Sequence, residues 1–252
     1  MNRYLIAAYG FFAYAAFNLV FLYLPGFLLE LPLPKTINSA SDTPPGAALA
    51  VDLGLIALFG FTHSLMAREG FKRRLTRFIP KAAERSTFVL QSTFFLALLI
   101  WQWRALPATI WAFDGAGAVL AYLLFGFGLA LVLLSTHAID HMALFGVAQV
   151  RRHFHGEPEP EAEFCTPFLY RIVRHPMQAG MIVLLFATPH MTVGHLVFAA
   201  AMTAYILIGL YFEERSLIRE FGDTYRRYRA CVPMLVPRPA VLPEGTFARA
   251  PG

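Results

Sequence analysis

The sequence predicts an all-α, polytopic transmembrane protein with five to six membrane helices, the last two forming a C-terminal helical hairpin. Three observations lead there. Of 252 residues, 57% are hydrophobic and only 15% charged, where a soluble domain carries about 25% charged residues. Six apolar runs approach the roughly 20 residues that a bilayer crossing requires. The excess of positive charge, with a pI of about 9.4, gathers in a few connecting segments. That is the pattern of cytoplasmic loops, not of a nucleic-acid surface.

The first run, residues 4–29, lacks a basic leader and a small-residue cleavage site, so it reads as a retained helix and not a signal peptide. Residues 47–67, 87–103 and 116–139 follow as further spans. Trp101, Trp103 and Trp111 cluster around the third connection, as interfacial tryptophans do. The fifth run, 176–188, is short and broken by Thr188-Pro189-His190. The sixth, 193–212, follows so closely that the two must form a tight antiparallel hairpin. The fifth is therefore not required to cross the whole bilayer. Cys165 and Cys231 are the only cysteines and make neither a disulfide framework nor a Cys-x-x-Cys metal pair.

Orientation follows from the loops. Residues 68–85 hold seven Lys or Arg side chains, whereas 30–46 hold only Lys35 and 106–115 none. Placing the basic loop in the cytoplasm puts both termini there too, with residues 140–175 and the tail from Glu213. The expected organisation is one integral-membrane domain. Four helices run to residue 139, and the cytoplasmic loop, hairpin and C-terminal segment occupy 140–238. A disordered tail, 239–252, ends the chain.

Two cytoplasmic segments carry chemistry. Arg174-His175-Pro176 stands at the mouth of the fifth run, where proline suits the first helical turn. Free backbone N–H groups and the positive dipole end then face the cytoplasm as an anion site. Gly180, one turn on, makes room for a ligand or for another helix. The second segment reads YFEERSLIREFGDTYRRYRACVP. Glu213 and Glu214 sit at the membrane boundary, Gly222 suits a helix end, and Asp223 suits the cap of the next helix. The hairpin should bring these glutamates near His175. Carboxylates beside an anion-binding helix start suit a zwitterionic, hydroxyl-bearing ligand. A solvated cationic helix with i,i+4 charge pairs is the plainer reading of the second segment alone.

Together the pieces Arg174-His175-Pro176 with Gly180, Glu213-Glu214 with Leu217, and Phe221-Gly222 with Tyr225 and Tyr228 resemble the integral-membrane methyltransferases of the isoprenylcysteine carboxyl methyltransferase-like superfamily. The resemblance implies S-adenosylmethionine, held between His175, Pro176, Gln178 and Gly180 on one side and Glu213, Glu214 and Tyr225 on the other. Many members have tyrosine where this chain has Gln178, so a ring contact there does not carry over. The stretches ALFGFTHSLMAREGFKRRLTRFIPKAAERSTFVL, HMALFGVAQV and ATPHMTVGHLVFAAAMTAYILIGLYFEER narrow the likeness. Over residues 4–237 the chain is similar to the bacterial methanethiol S-methyltransferases, which make dimethyl sulfide. An arginine expected of that family in the second stretch is replaced by Ala148.

The implied reaction is in-line methyl transfer to a small volatile thiol. A free thiol has a pKa well above 7, so the site needs a base or a positive field. His141, with Asp140 to orient its ring and raise its proton affinity, is one candidate. Arg171 and Arg174, with the cofactor's own charge, are the other. A small apolar thiol can be selected only by cavity size and lining, for which Met142, Phe145, Met177 and Tyr211 are candidates. Three further readings compete: a methyltransferase for isoprenylcysteine or phospholipid, a histidine-box di-iron oxygenase, and a non-enzymatic membrane protein. His137 and His141 stand at i,i+4, as metal ligands do on one helix face. No His-x-x-His-His box occurs, and no metal is expected.

Overall fold

The computed structural model describes residues 2–160 and 164–238; the expected disordered tail lies outside them. The described chain is helical throughout, apart from one pair of short strands. In order come α1 (Arg3–Leu28), α2 (Pro45–Ala67), α3 (Glu69–Leu75), α4 (Lys81–Gln102), β1 (Thr109–Ala112), α5 (Gly115–Ile139), α6 (His141–Leu144) and α7 (Val147–His155). A 3₁₀ turn (Phe168–Arg171), α8 (Pro176–Phe186), β2 (His190–Thr192), α9 (Val193–Phe221) and α10 (Asp223–Cys231) complete it. Helices α1, α2, α5 and α9 are each long and apolar enough to cross a bilayer. This is an integral membrane protein.

Two compact units divide these elements. The first holds α1 to α4, the strand pair, α7 and the opening turns of α9. The second holds α5, the 3₁₀ turn, α8, the rest of α9 and α10. In the first, the Asn2 side chain caps α1 by accepting from Tyr4 N, and Pro45 opens α2 at its first position. Trp103 is fully buried, edge-on to Phe198. Trp103, grouped by the sequence with the interfacial tryptophans, is packed against protein. Strand β1 pairs antiparallel with β2, Trp111 opposite Met191 and Ala112 opposite His190. The break at Thr188-Pro189-His190 is therefore filled by strand pairing and is not a bare turn.

In the second unit, α8 lies against α5 through a reciprocal glycine contact. A Cβ on Gly180 would stand 2.6 Å from Gly128 O, and one on Gly128 would stand 2.8 Å from Gly180 O. Such contacts let two apolar helices approach backbone to backbone where lipid offers no hydrophobic drive. Helix α8 has 11 residues, about 16 Å at 1.5 Å per residue. Helix α9 runs unbroken through Glu213 and Glu214 to Phe221. Gly222, at φ 55°, breaks the helical run there, and its N–H donates to Ile218 O. Asp223 does not cap α10. It occupies the first turn and pairs with Arg226 at 2.7 Å.

Candidate active site

The site in the second unit is built around one carboxylate. Glu214 is 5% exposed, near the end of α9. Arg174, just before α8, brings Nε and Nη2 to 2.7 Å from Glu214 Oε1. His175 Nε2 lies 3.3 Å from the same oxygen, and Arg229 Nε, from α10, lies 3.2 Å from Oε2. The proximity of Glu214 to His175 expected from the sequence is thus present. An ionised carboxylate can only accept, so His175 Nε2 donates. Burial lowers His175 below the usual imidazole range despite the opposing pull of Glu214. The ring is therefore neutral at pH 7, with its Nδ1 lone pair available as an acceptor.

Backbone contacts lock the same assembly. Arg174 N donates to Pro233 O at 2.9 Å and His175 N to Met234 O at 3.1 Å. Arg174 Nη1 donates to Arg229 O and to Val232 O, where α10 ends. The Tyr228 hydroxyl donates to Tyr170 O in the 3₁₀ turn. Phe164, Tyr225 and Tyr228 pack edge-on beneath this frame. Burial pushes the hydroxyls of Tyr170, Tyr225 and Tyr228 well above the usual phenol range, so all three stay neutral.

Several expected roles change with this geometry. Arg174, a candidate for favouring thiolate, spends its guanidinium on Glu214 and two carbonyls. Its charge is offset where it stands. Arg171 is exposed, and its Nε donates to Thr166 O at 3.1 Å. Of the two uses the sequence left open for Gly180, the structure shows the helix contact. Pro176 is buried at the first position of α8, while Met177 and Gln178 are half-buried in its first turn. The first helical hydrogen bond there is Ala179 N to His175 O, which leaves the N–H groups of Met177 and Gln178 without a helical partner. Glu213, the residue before Glu214 on α9, is exposed.

His141 follows the end of α5. Its Nδ1 lies 3.0 Å from Thr136 Oγ1, and the Thr136 hydroxyl donates to Leu133 O at 2.8 Å. Thr136 must therefore accept, His141 Nδ1 carries the proton, and Nε2 holds the lone pair. Thr136 is thus a partner at Nδ1. Burial and the stacked His137 ring, 4.4 Å away, lower the proton affinity of His141, and Asp140 only partly opposes them. The expected pull of Asp140 is present, and burial outweighs it. Tyr170 Oη reaches Ser135 O at 3.5 Å, which links the turn before Arg171 to the end of α5.

Of the proposed lining residues, Tyr211 is exposed, with Arg215 over its ring at 4.5 Å. Met142 is exposed as well. Phe145 belongs to the first unit, stacked on Phe17 at 4.2 Å beside Met66, Phe88 and Val89. Among the described residues, no three or more His, Cys, Asp or Glu side chains are grouped to hold a metal. Sequence reasoning missed Arg229, Thr136 and the Tyr228–Tyr170 clasp. A signal existed for Arg229, because it adjoins the Tyr-x-x-Tyr motif on a one-face helix.

The frame fits an integral-membrane methyltransferase: a helix start with free N–H groups, clamped to a buried carboxylate on the returning helix. The chain belongs to the NnrU protein family, whose model matches residues 53–238. It is 48% identical over 236 residues to methanethiol S-methyltransferase 2 of Bradyrhizobium diazoefficiens, covering 94% of this chain and 91% of that protein. It is likewise 48% identical over 240 residues to the methanethiol S-methyltransferase of Mycobacterium tuberculosis, covering 95% and 98%. Nurim of Pan troglodytes is a more distant relative, 28% identical over 186 residues and 68% of each chain. No solved structure matches.

Proposed function

We propose that this chain methylates methanethiol to dimethyl sulfide, with S-adenosylmethionine as donor, at the cytoplasmic face of the bacterial inner membrane. The observation that carries the reading is near-half identity along more than nine-tenths of the chain to proteins named for that reaction. The residues present suit the donor. Tyr225 Oη and Thr166 Oγ1 are buried without a hydrogen-bond partner of good geometry. Both stand in the unit that offers the free N–H groups of Met177 and Gln178, an anion site for a carboxylate.

Bound S-adenosylmethionine supplies a methyl group on a positive sulfur, open to in-line displacement by a thiolate. Met177 and Gln178 N–H, the Tyr225 and Thr166 hydroxyls and the His175 Nδ1 lone pair would hold it. Glu214 fixes their frame, because its own oxygens are already occupied by Arg174, His175 and Arg229. His141 Nε2 takes the thiol proton as general base, with Thr136 holding its tautomer. The cytoplasmic placement rests on the seven basic residues of 68–85 and on the common unit of α8, α9 and α10. Beside the four long spans, α4 makes a fifth crossing with its charged residues at one end, and α8 enters partway.

Purified protein given methanethiol and S-adenosylmethionine should release dimethyl sulfide into the headspace. Label appearing in lipid or prenylcysteine, with no dimethyl sulfide, would overturn the substrate. His141→Ala should lower turnover by about 10²–10⁴ with donor affinity unchanged. Because the folded His141 holds its proton less tightly than a free imidazole, it is the neutral base at pH 7. Turnover should hold there and fall with acidification only below the usual imidazole range of about 6.5. A His141→Ala profile that keeps the same acid limb removes the base from this role.

A further inference from the structure

The first compact unit carries a feature that methyl transfer does not use. Helices α1 and α7 meet where Gly10 admits Val150: a Cβ on Gly10 would stand 2.7 Å from Val150 Cγ2. Above that contact runs a groove of about 280 Å³, walled by Ala7, Phe11 and Tyr14 from α1 and by Val147, Val150 and Phe154 from α7. A cleft with so apolar a wall offers water almost no partners. Its rim is the opposite in character. Arg151 and His155 line it from α7. Arg3 lies over the Tyr4 and Phe154 rings, at 5.2 and 5.3 Å. Helix α7 reads VAQVRRHFH and contains no acidic residue.

From this we propose that the groove binds one acyl chain of an anionic phospholipid of the inner leaflet, with the headgroup phosphate held by Arg3 and Arg151. Charge complementarity selects this occupant. A short, basic, amphipathic helix beside a membrane helix is the arrangement that sits at an anionic lipid surface. Helix α1 supplies the bilayer contact, since Phe11, Phe12, Leu19 and Leu22 are all more than half exposed on it. An arginine guanidinium grips phosphate oxygens in a planar fork, and Arg3 already lies near two rings, one of them the groove-lining Phe154. His155 adds charge only when protonated. The inference goes beyond the transfer reaction and rests on the proposed orientation, which puts α7 on the cytoplasmic side.

The test uses the full chain, purified in mild detergent and mixed with equal phosphatidylglycerol and phosphatidylcholine of matched acyl chains. Native mass spectrometry then counts the lipids retained. The intact protein should retain phosphatidylglycerol in preference. Arg3→Ala and Arg151→Ala should each weaken that preference about fivefold, the effect of one basic residue at an anionic surface. Ala7→Phe, which narrows the groove, should reduce retention of both lipids alike. Equal retention of the two lipids by the intact protein would overturn the proposal. So would an undiminished preference in the double arginine variant. Unchanged dimethyl sulfide release in these variants separates a failure here from a failure of the transfer reading.

Discussion

Two carboxylates, one in each compact unit, meet a histidine, and they are held in opposite ways. Glu214 has a side chain 7% exposed and two arginines besides His175. Glu30 has a side chain 29% exposed and accepts from His190 Nδ1 at 2.7 Å, with that ring 40% exposed. Water shares the second pair and is excluded from the first. A buried ion cluster gives up solvation that only a complete set of partners restores, whereas an exposed pair trades one hydrated state for another. Shorter distance does not make the stronger dependence. The pair at the α9 end is a frame whose parts cannot be removed singly, and the pair at β2 is a clasp that can be opened.

The largest effect should follow from Arg174→Ala, which leaves Glu214 Oε1 with His175 alone and frees the carbonyls of Arg229 and Val232. Removing one member of a buried pair costs about 3–5 kcal/mol. Thermal unfolding should show it as a large fall in Tm, with donor binding lost alongside. Arg174→Lys should rescue little, since a point charge cannot reproduce the fork that meets Glu214 and two carbonyls together. A variant with wild-type Tm would place Glu214 in a wetter site than its burial indicates.

Arg229→Ala tests the same cluster at its open edge. Its side chain is 51% exposed, so solvent replaces part of what it gives to Glu214 Oε2. About 1 kcal/mol of stability is expected to go, near the range for a screened pair. Donor affinity should fall less than in Arg174→Ala. If the two arginine variants behave alike, the carboxylate depends on total charge and not on burial of a particular oxygen.

The parts of this molecule that local pattern controls were legible in the sequence. Pro176 marked the start of α8, Gly222 the break before α10, and the six apolar runs appear as helices in the expected order. The return of Glu214 to His175 followed from the hairpin alone. What escaped depends on partners distant in sequence. Strands β1 and β2 are short and some 80 residues apart, and nothing local in Thr109–Ala112 announces a strand. A glycine in an apolar helix reads the same whether its partner is a ligand or Gly128. Trp103 looks interfacial by type, and only its packing against Phe198, far along the chain, shows it buried. For His141, adjacent Asp140 drew the eye, and the helix end also carries Thr136 round to Nδ1.

The smallest effect belongs to the exposed clasp. His190→Ala removes the contact to Glu30 and the 3.3 Å contact between His190 Nε2 and Thr109 Oγ1. The backbone pairing of Ala112 with His190 does not depend on the ring, and Phe113 N still donates to Pro189 O at 2.9 Å. Since an exposed pair contributes about 0–1 kcal/mol, Tm should move by no more than a few degrees, and raised salt should shrink even that difference. Dimethyl sulfide release should stay at the wild-type level, because the clasp belongs to the first unit and the site to the second. A loss of stability as large as that of Arg174→Ala would erase the contrast between the two carboxylates. Burial would then no longer decide which ion pair the fold depends on, and the strand pair would have to be counted among the elements that hold the membrane helices together.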